Sequence, residues 1–589
     1  MKTEIEINEL MNKMTLEEKA SLCSGKDFWH LEGIERLGIP SIMVTDGPHG
    51  LRKQDGSSGD HVGLNASVPA TCFPTAVTLA SSWDRNLLHE VGEALGDECR
   101  QEKVSVLLGP GVNIKRNPLC GRNFEYFSED PYIGGELASS FIKGVQSKGI
   151  GTSMKHFAAN NQEYCRMSID TIVDERTMRE LYLSGFEKAV KDAQPWTVMN
   201  AYNKINGEFC SDNKYLLTDI LKEEWGHKGL VVTDWGATND RVAGLKAGLE
   251  LEMPGSRGIN DKKIVEAVKN GTLEESILND RVKRLLTLIF QSEEILKDTY
   301  TYDKEAHHQL AKKVASESIV LLKNEDNLLP LEMNGKIAII GDFAETPRYQ
   351  GAGSSQINPT KIDSALESAR LLSGKNLEIT YAKGFSTKQD KLDQSLINEA
   401  LKTAESADYT IIFAGLPPSF ESEGFDRKHM NLPGNQLILI EKILERCPQS
   451  IIVLSNGSPV EMPFINKCKT LIEAYLTGQA GGSAVIDIIF GKTIPCGKIA
   501  ETFPVNLKDI PSNSYFPGTP KQVEYREGLY VGYRYFDSFD KEVLFPFGHG
   551  LSYTNFSYSD LKISSSKMNS GEKLTVSCKV KNTGKYDGK

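Results

Sequence analysis

Short apolar runs that stop at a polar residue recur through residues 1–300: IPSIMVTD (39–46), VSVLLGPGVN (104–113), IGTSMKH (150–156), WTVMNAYN (196–203), LVVTDW (230–235) and LELEMP (249–254). Runs with so little alternation have the texture of strands buried on both faces, as parallel strands are. Between them the apolar positions recur at helical spacing, as in SGFEKAVKDA (184–193) and DRVKRLLTLIF (280–290). Strand and helix in regular alternation predict an α/β fold, and this many units over this length favours a (β/α)8-type barrel.

A hydrophilic stretch, KDTYTYDKEAHHQ (297–309), follows, and residues 301–315 read as a linker. A second series then occupies 316–505, with runs KIAIIGDF (336–343), LEITYAKG (377–384), DYTIIFAGL (408–416), SIIVLSNG (450–457) and TLIEAYLTG (470–478). Five strands with helices between them predict an α/β open-sheet sandwich. GDFAE after the first strand lacks the G-x-G-x-x-G spacing of a dinucleotide site.

From 506 to 550 the texture turns to Pro, Gly and aromatics, as in YFPGTP and YREGLYVGYRYFD, and predicts an ordered linker wrapping back over the other units. LTVSCKVKN (574–582) alternates with period two, as a half-buried strand does. A β-sandwich needs about seven strands. Residues 551–589 hold fewer, so they read as the start of one, apparently truncated.

Composition narrows the picture. A chain of 589 residues exceeds what one hydrophobic core serves, and 39% hydrophobic with 25% charged residues is ordinary for a soluble protein. A net charge of -11 without any Lys/Arg run argues against nucleic acid. The first residues, MKTEIEINELMNKMTLEEKA, lack the apolar core of a signal peptide, and no run is long enough to span a bilayer. Ten cysteines without a C-x-x-C pair read as reduced thiols, so a cytoplasmic setting is expected. The ten histidines do not cluster as zinc ligands.

The runs of the first series end in polar groups: Asp46, Lys155 with His156, Asn200 with Tyr202, and Asp234 with Trp235. In a barrel the C-terminal strand ends form the active-site rim. Taken singly, Asp46 also reads as a helix cap and Tyr202 as an ordinary half-buried aromatic. A buried Lys–His pair is costly without acidic partners. Their recurrence at equivalent strand ends favours one shared site.

At these residues the chain resembles glycoside hydrolase family 3. The likeness is carried by TDGPHGLR (45–52), GRNFEYFSEDPYIGG (121–135), KHFAANNQE (155–163), VMNAYN (198–203), VTDWGA (232–237), GAGSS (351–355), ESEGFDR (421–427) and FPFGHGLSY (545–553). Eight collinear strings imply the family's order of barrel, α/β sandwich and fibronectin-type-III-like domain. The resemblance implies a retaining exo-β-glycosidase, a β-glucosidase by first choice, acting on small β-glucosides or oligosaccharides. Asp234 matches the nucleophile and Glu423 the acid/base. Asp46, Arg122, Lys155, His156, Arg166, Met199 and Tyr202 match the pocket for the terminal sugar, with Trp235 on or beside it. Ser354 or Ser355 adds a contact.

Two carboxylates about 5–5.5 Å apart suffice for this chemistry, so no metal or organic cofactor is implied. Asp234 is expected to stay ionised among Arg, Lys and His. Glu423, on a loop near the unit boundary, is expected to be raised by partial desolvation. Without the resemblance, Glu423 also reads as a solvated loop acid beside Asp426 and Arg427, and Glu421 is its rival two residues upstream. The N-acetylglucosaminidase branch carries a Gly-rich segment with an Asp-His pair after the KH motif, and KHFAANNQEYCRMSID (155–170) has none. A β-xylosidase or α-L-arabinofuranosidase on the same scaffold is the alternative within the enzyme class. A non-catalytic carbohydrate-binding protein is the alternative outside it. The chain does not reveal an oligomeric state.

Overall fold

The computed structural model describes residues 2–54, 67–297 and 299–589. Its first parallel sheet takes the apolar runs in chain order: β1 (Val44–Asp46), β2 (Val106–Leu108), β3 (Gly151–Phe157), β4 (Thr197–Asn200) and β5 (Leu230–Thr233), hydrogen-bonded in that sequence. Every residue of these five strands is buried, which is why the runs carry no polar alternation. Register pairs Val44 with Val106, Val106 with Gly151, Ser153 with Thr197, and Thr197 with Leu230. The sixth expected strand, LELEMP, is reduced to bridges: Leu251 pairs in parallel with Val232, and Glu252 with Ser24. From Ser24 the bonding passes through antiparallel bridges Gly25–Leu31 and His30–Met43, which adjoins β1.

Helices cover this sheet for reasons readable in their ends and faces. Asp84 caps Arg85–Gln101, accepting from the Asn86 amide at 2.8 Å, and Leu87, Leu88, Val91, Leu95 and Cys99 line its buried side. Asp130 caps Pro131–Ser147, whose proline sits at the first turn where no amide is needed. The two helices cross at Gly92 and Gly144. A Cβ on Gly92 would lie 2.5 Å from the Phe141 carbonyl oxygen.

A second hydrophobic core surrounds a six-stranded sheet. Its strands are β6 (Val320–Asn324), β7 (Gly335–Ile340), β8 (Leu377–Ala382), β9 (Tyr409–Gly415), β10 (Ile451–Ser455) and β11 (Thr470–Glu473), in the order β6-β11-β10-β9-β7-β8. Five match the expected runs and pair in parallel. β6 was not foreseen: it is antiparallel to β11 with a bulge between Leu321 and Lys323. Its sequence VLLKN abuts the helix Lys304–Ser318, so no turn signal separates it from a helical run.

The segment read as a wrapping linker does fold back. Gln522–Glu524 pairs in parallel with Asp170–Ile172, and Phe503–Pro504 pairs with Val543–Phe545. Arg116 is buried against Glu527 at 2.9 Å and lies over the Tyr525 ring at 3.8 Å. The last two strands, β12 (Phe556–Ile563) and β13 (Val576–Asn582), form an antiparallel pair. β13 was expected to be half-buried and is exposed throughout, because no second layer packs on this pair among the described residues.

The two cores meet where the site is built. Phe124, from the loop after β2, belongs to the second core. A Cβ on Gly351 would lie 2.0 Å from its ring. Gly121 is the seat for the loop after β9: a Cβ there would lie 1.9 Å from the Phe425 carbonyl oxygen and 2.3 Å from that of Ser422. Gly121→Ala should therefore lift this loop, lowering turnover by ~100-fold if the displacement reaches about 1 Å. Circular dichroism should be unchanged, and a variant with wild-type turnover would show that the seat does not matter.

Candidate active site

Asp234 follows β5 directly. Its Oδ1 accepts from the Trp235 amide at 2.7 Å, a short local bond that fixes the carboxylate plane. Its Oδ2 is buried, with His156 Nε2 3.6 Å away, and the Tyr202 phenol also interacts with this carboxylate. A lone pair at that position is available to attack an electrophile. The expectation that Arg, Lys and His all surround Asp234 needs correction. Among the described ion pairs His156 is its partner, while Lys155 faces Asp46 and the two arginines face Glu423.

β3 ends in Lys155 and His156, with a register irregularity between Met154 and Phe157 and cis peptide bonds at Lys155–His156 and Phe157–Ala158. Asn113 brackets His156: its Oδ1 accepts from the His156 amide at 2.7 Å, and its Nδ2 donates to the His156 carbonyl at 2.9 Å. The ring's other nitrogen, Nδ1, is hydrogen-bonded to the Tyr126 hydroxyl at 3.2 Å. Burial, and then the cations Arg122, Lys155 and Arg166, hold this imidazole well below its usual range, so it is neutral. Lys155 Nζ stands 3.6 Å from Asp46 Oδ1, and Arg52 Nη1 stands 3.6 Å from Asp46 Oδ2. Burial pushes the Asp46 carboxyl up to about 6 despite those two cations.

Tyr202, after β4, donates to the Trp235 carbonyl at 3.1 Å, and the Arg166 guanidinium lies 5.1 Å from its ring centre. Burial raises its phenol well above the usual range, with the charges of Asp234 and Glu423 adding to that. Trp235 is only 5% exposed. Its Nε1 donates to the Phe28 carbonyl at 2.9 Å and its ring packs 5.3 Å from that of Trp29. Met199 is buried on β4 as part of the first core.

Glu423 arrives from the other unit. Its Oε1 accepts from Arg166 Nη1 at 2.8 Å and lies 3.4 Å from Arg122 Nη1, and its Oε2 accepts from the Ser354 amide at 2.7 Å. Ser354 of the GAGSS turn thus meets Glu423 through both its amide and its side chain, whereas the buried Ser355 hydroxyl has no partner. A Cβ on Gly353, whose φ is +110°, would lie 2.4 Å from Glu423 Cβ. The expectation of a raised Glu423 carboxyl is overturned. Burial does raise it, but Arg122, Arg166 and the Ser354 bonds outweigh burial and hold it well below the carboxylate range. Glu421 faces inward instead. Its oxygens accept from the Gly457 amide at 2.8 Å and the Ser458 hydroxyl at 3.1 Å, inside the second unit.

Five contributors escaped the sequence reading: Arg52, Asn113, Tyr126, Glu163 and Asp426. All lie inside or beside the quoted strings. Glu163 Oε2 accepts from Arg166 Nη1 at 2.9 Å, the nitrogen that also serves Glu423. Burial pushes the Glu163 carboxyl up even though Arg166 and Arg122 pull it down. No group of three or more potential metal ligands occurs among the described residues.

This geometry can be set against known proteins. Residues 32–288 match the model of the glycosyl hydrolase family 3 N terminal domain, and residues 319–553 match that of the glycosyl hydrolase family 3 C-terminal domain. The chain is 59% identical to the thermostable beta-glucosidase B of Acetivibrio thermocellus, over 99% of this chain and 77% of that protein. It is 48% identical to an exo-alpha-(1->6)-L-arabinopyranosidase of Bifidobacterium breve, over 98% of this chain and 76% of the relative. The crystal structure of a GH3 beta-glucosidase from Bifidobacterium adolescentis superposes with a TM-score of 0.92 at 48% identity, covering 98% of this chain and 82% of that one. The chain carries both of the family's domains with the site assembled across them, and it belongs to glycosyl hydrolase family 3.

Proposed function

We propose that this glycoside hydrolase is a retaining exo-β-glucosidase that releases terminal non-reducing β-D-glucosyl residues through a covalent glycosyl-Asp234 intermediate. The observation that carries the reading is the Asp234 carboxylate at the end of β5, pinned through one oxygen by the Trp235 amide with the other turned toward His156 at 3.6 Å. In the first step Oδ2 attacks the anomeric carbon while Glu423 gives a proton to the departing oxygen. In the second, Glu423 takes a proton from water and the Asp234 ester is cleaved. Glu423 therefore has to gain a proton before the first step, against the pull of Arg122 and Arg166. Substrate hydroxyls competing for those guanidiniums would ease that gain.

Asp46, Lys155, His156, Arg122, Arg166 and Tyr202 act as grips on sugar hydroxyls, since charge-assisted hydrogen bonds are strong and directional. A site that leaves these groups unpaired with the wrong sugar discriminates sharply. Trp235 and Met199 form apolar wall. In architecture, residues 1–300 read as a (β/α)8-type barrel, supported by the bridges that carry bonding from β5 back to β1. Residues 316–505 read as the α/β sandwich and 551–589 as fibronectin-III-like, with 301–315, largely the helix Lys304–Ser318, and 506–550 as linkers. Ten unpaired cysteines support a reducing, cytoplasmic setting. The 48% identical relative named for an arabinopyranosidase favours including pentosides among trial substrates.

Three measurements test this. Proton NMR of early hydrolysis should show the β-anomer of glucose before mutarotation, with β-glucosides the best of an aryl-glycoside panel. An initial α-anomer would replace double displacement with a single one. Asp234→Ala should lose activity by several orders of magnitude with the fold intact, and azide should restore some rate as an α-glucosyl azide. Near-native activity without azide would remove Asp234 from the reaction. Glu423→Ala should slow poor leaving groups by ~10²–10⁴-fold while activated aryl glycosides show a burst followed by slow turnover. Glu421→Ala, which empties a bonded site in the second unit, should lower the melting temperature without that dependence on the leaving group.

A further inference from the structure

The loop that carries Glu423 lacks an apolar anchor at its tip. Gly424 is exposed, Phe425 is 40% exposed, and an isolated bridge from Ser422 to Phe425 closes the turn. The tip is instead bonded to the first unit by carboxylates. Asp426 Oδ1 accepts from the Gly121 amide at 3.1 Å and the Glu163 amide at 2.9 Å, and its Oδ2 accepts from the Tyr164 amide at 2.9 Å. In the opposite direction, Glu163 Oε2 accepts from the Gly424 amide at 2.8 Å. Each unit thus lends a carboxylate to the other's main chain within three residues of Glu423. Bonds of amide to carboxylate are stronger and shorter than amide to carbonyl, and a pair of them in opposite senses resists both lifting and sliding.

We propose that Asp426 and Glu163 form a reciprocal clamp that positions Glu423 over the sugar pocket and, through the Arg166 nitrogen that Glu163 shares with it, sets its charge. Asp426 and Glu163 are positioning residues here, since neither is placed against substrate. The proposal rests on the reading of Glu423 as acid/base. The charged and titratable groups facing Glu423 are Arg122 and Arg166 from the first unit, with Glu163, Tyr202 and Asp46 nearby. Among them Glu163 shares the same Arg166 nitrogen. With that claim removed, Arg166 would serve the Glu423 carboxylate alone and favour its ionised form.

The test compares Asp426→Ala, Glu163→Gln and Glu423→Ala with the wild type, using alkyl and activated aryl β-glucosides across pH. Asp426→Ala should cut kcat for alkyl glucosides by ~10–100-fold, consistent with a misplacement of under about 1 Å. The first step on activated aryl glucosides and the Michaelis constant should change little. Asp426→Asn, which keeps one acceptor oxygen, should recover part of the loss. Glu163→Gln should move the basic limb of kcat on alkyl glucosides to lower pH by at least ~0.5 unit. Equal losses on all leaving groups, with an unmoved pH limb, would reduce both residues to general supports and overturn the clamp. Should Asp426→Ala fail to fold, the Glu163→Gln limb decides alone. If Glu423→Ala shows leaving-group dependence and the other two variants do not, the clamp is wrong while the acid/base reading stands. If Glu423→Ala lacks it too, the reading falls and the clamp with it.

Discussion

Two guanidiniums of the first unit, buried Arg122 and part-buried Arg166, hold a carboxylate that the second unit supplies. An isolated buried charge costs several kcal/mol or more, and removing one member of such a pair leaves the other uncompensated. Arg122 is further bonded to Glu125 and Arg166 to Glu163, so each cation is shared between a carboxylate of its own unit and the one the second unit supplies. The close approaches at Gly121 and Gly351 serve the same end, because a Cβ at either would hold the units apart, while one on Gly353 would displace Glu423 within its own unit. Docking and site assembly are one event in this protein.

Charge is also sorted within the cluster. Lys155 and Arg52 face Asp46, and Arg122 and Arg166 face Glu423, which leaves Asp234 with a neutral imidazole. A nucleophile clasped by guanidiniums would spend its lone pairs on hydrogen bonds before meeting a sugar. The neutral His156 can donate through Nε2 toward Asp234 or accept from a sugar hydroxyl, according to how the Tyr126 hydroxyl bonds its other nitrogen. Glu423, by contrast, is pulled toward its ionised form by two arginines, so proton uptake there is coupled to whatever relieves them.

Much of this was legible in the chain. Strands buried on both faces must be apolar throughout, so ten of the eleven strands of the two parallel-rich sheets announced themselves as runs, and the polar residues ending the first series marked Asp46, Lys155, His156, Tyr202 and Asp234. β6 was hidden because it continues a helical stretch without a turn signal. β13 alternates yet is exposed, because alternation records a potential inner face and not the presence of a covering layer. Glu421 and Glu423 were equivalent neighbours in the string ESEGFDR. The fold separates them: the turn aims one at Gly457 and Ser458 and the other at Arg122, Arg166 and Ser354.

The amino-acid sequence by itself determined the two-series α/β plan, which depends on local burial patterns, and its eight strings carried the resemblance to the family and, through it, the choice of Asp234 and Glu423 as candidates. Only the tertiary structure decided the charge environment of those carboxylates. The groups that set it lie far apart in the chain, Arg166 and Glu423 at a separation of 257 positions and Glu163 and Asp426 at 263. Electrostatic shifts follow distance and burial in space, which no local spacing encodes. For that reason Glu423 was expected to be raised by desolvation and is in fact held down by two cations.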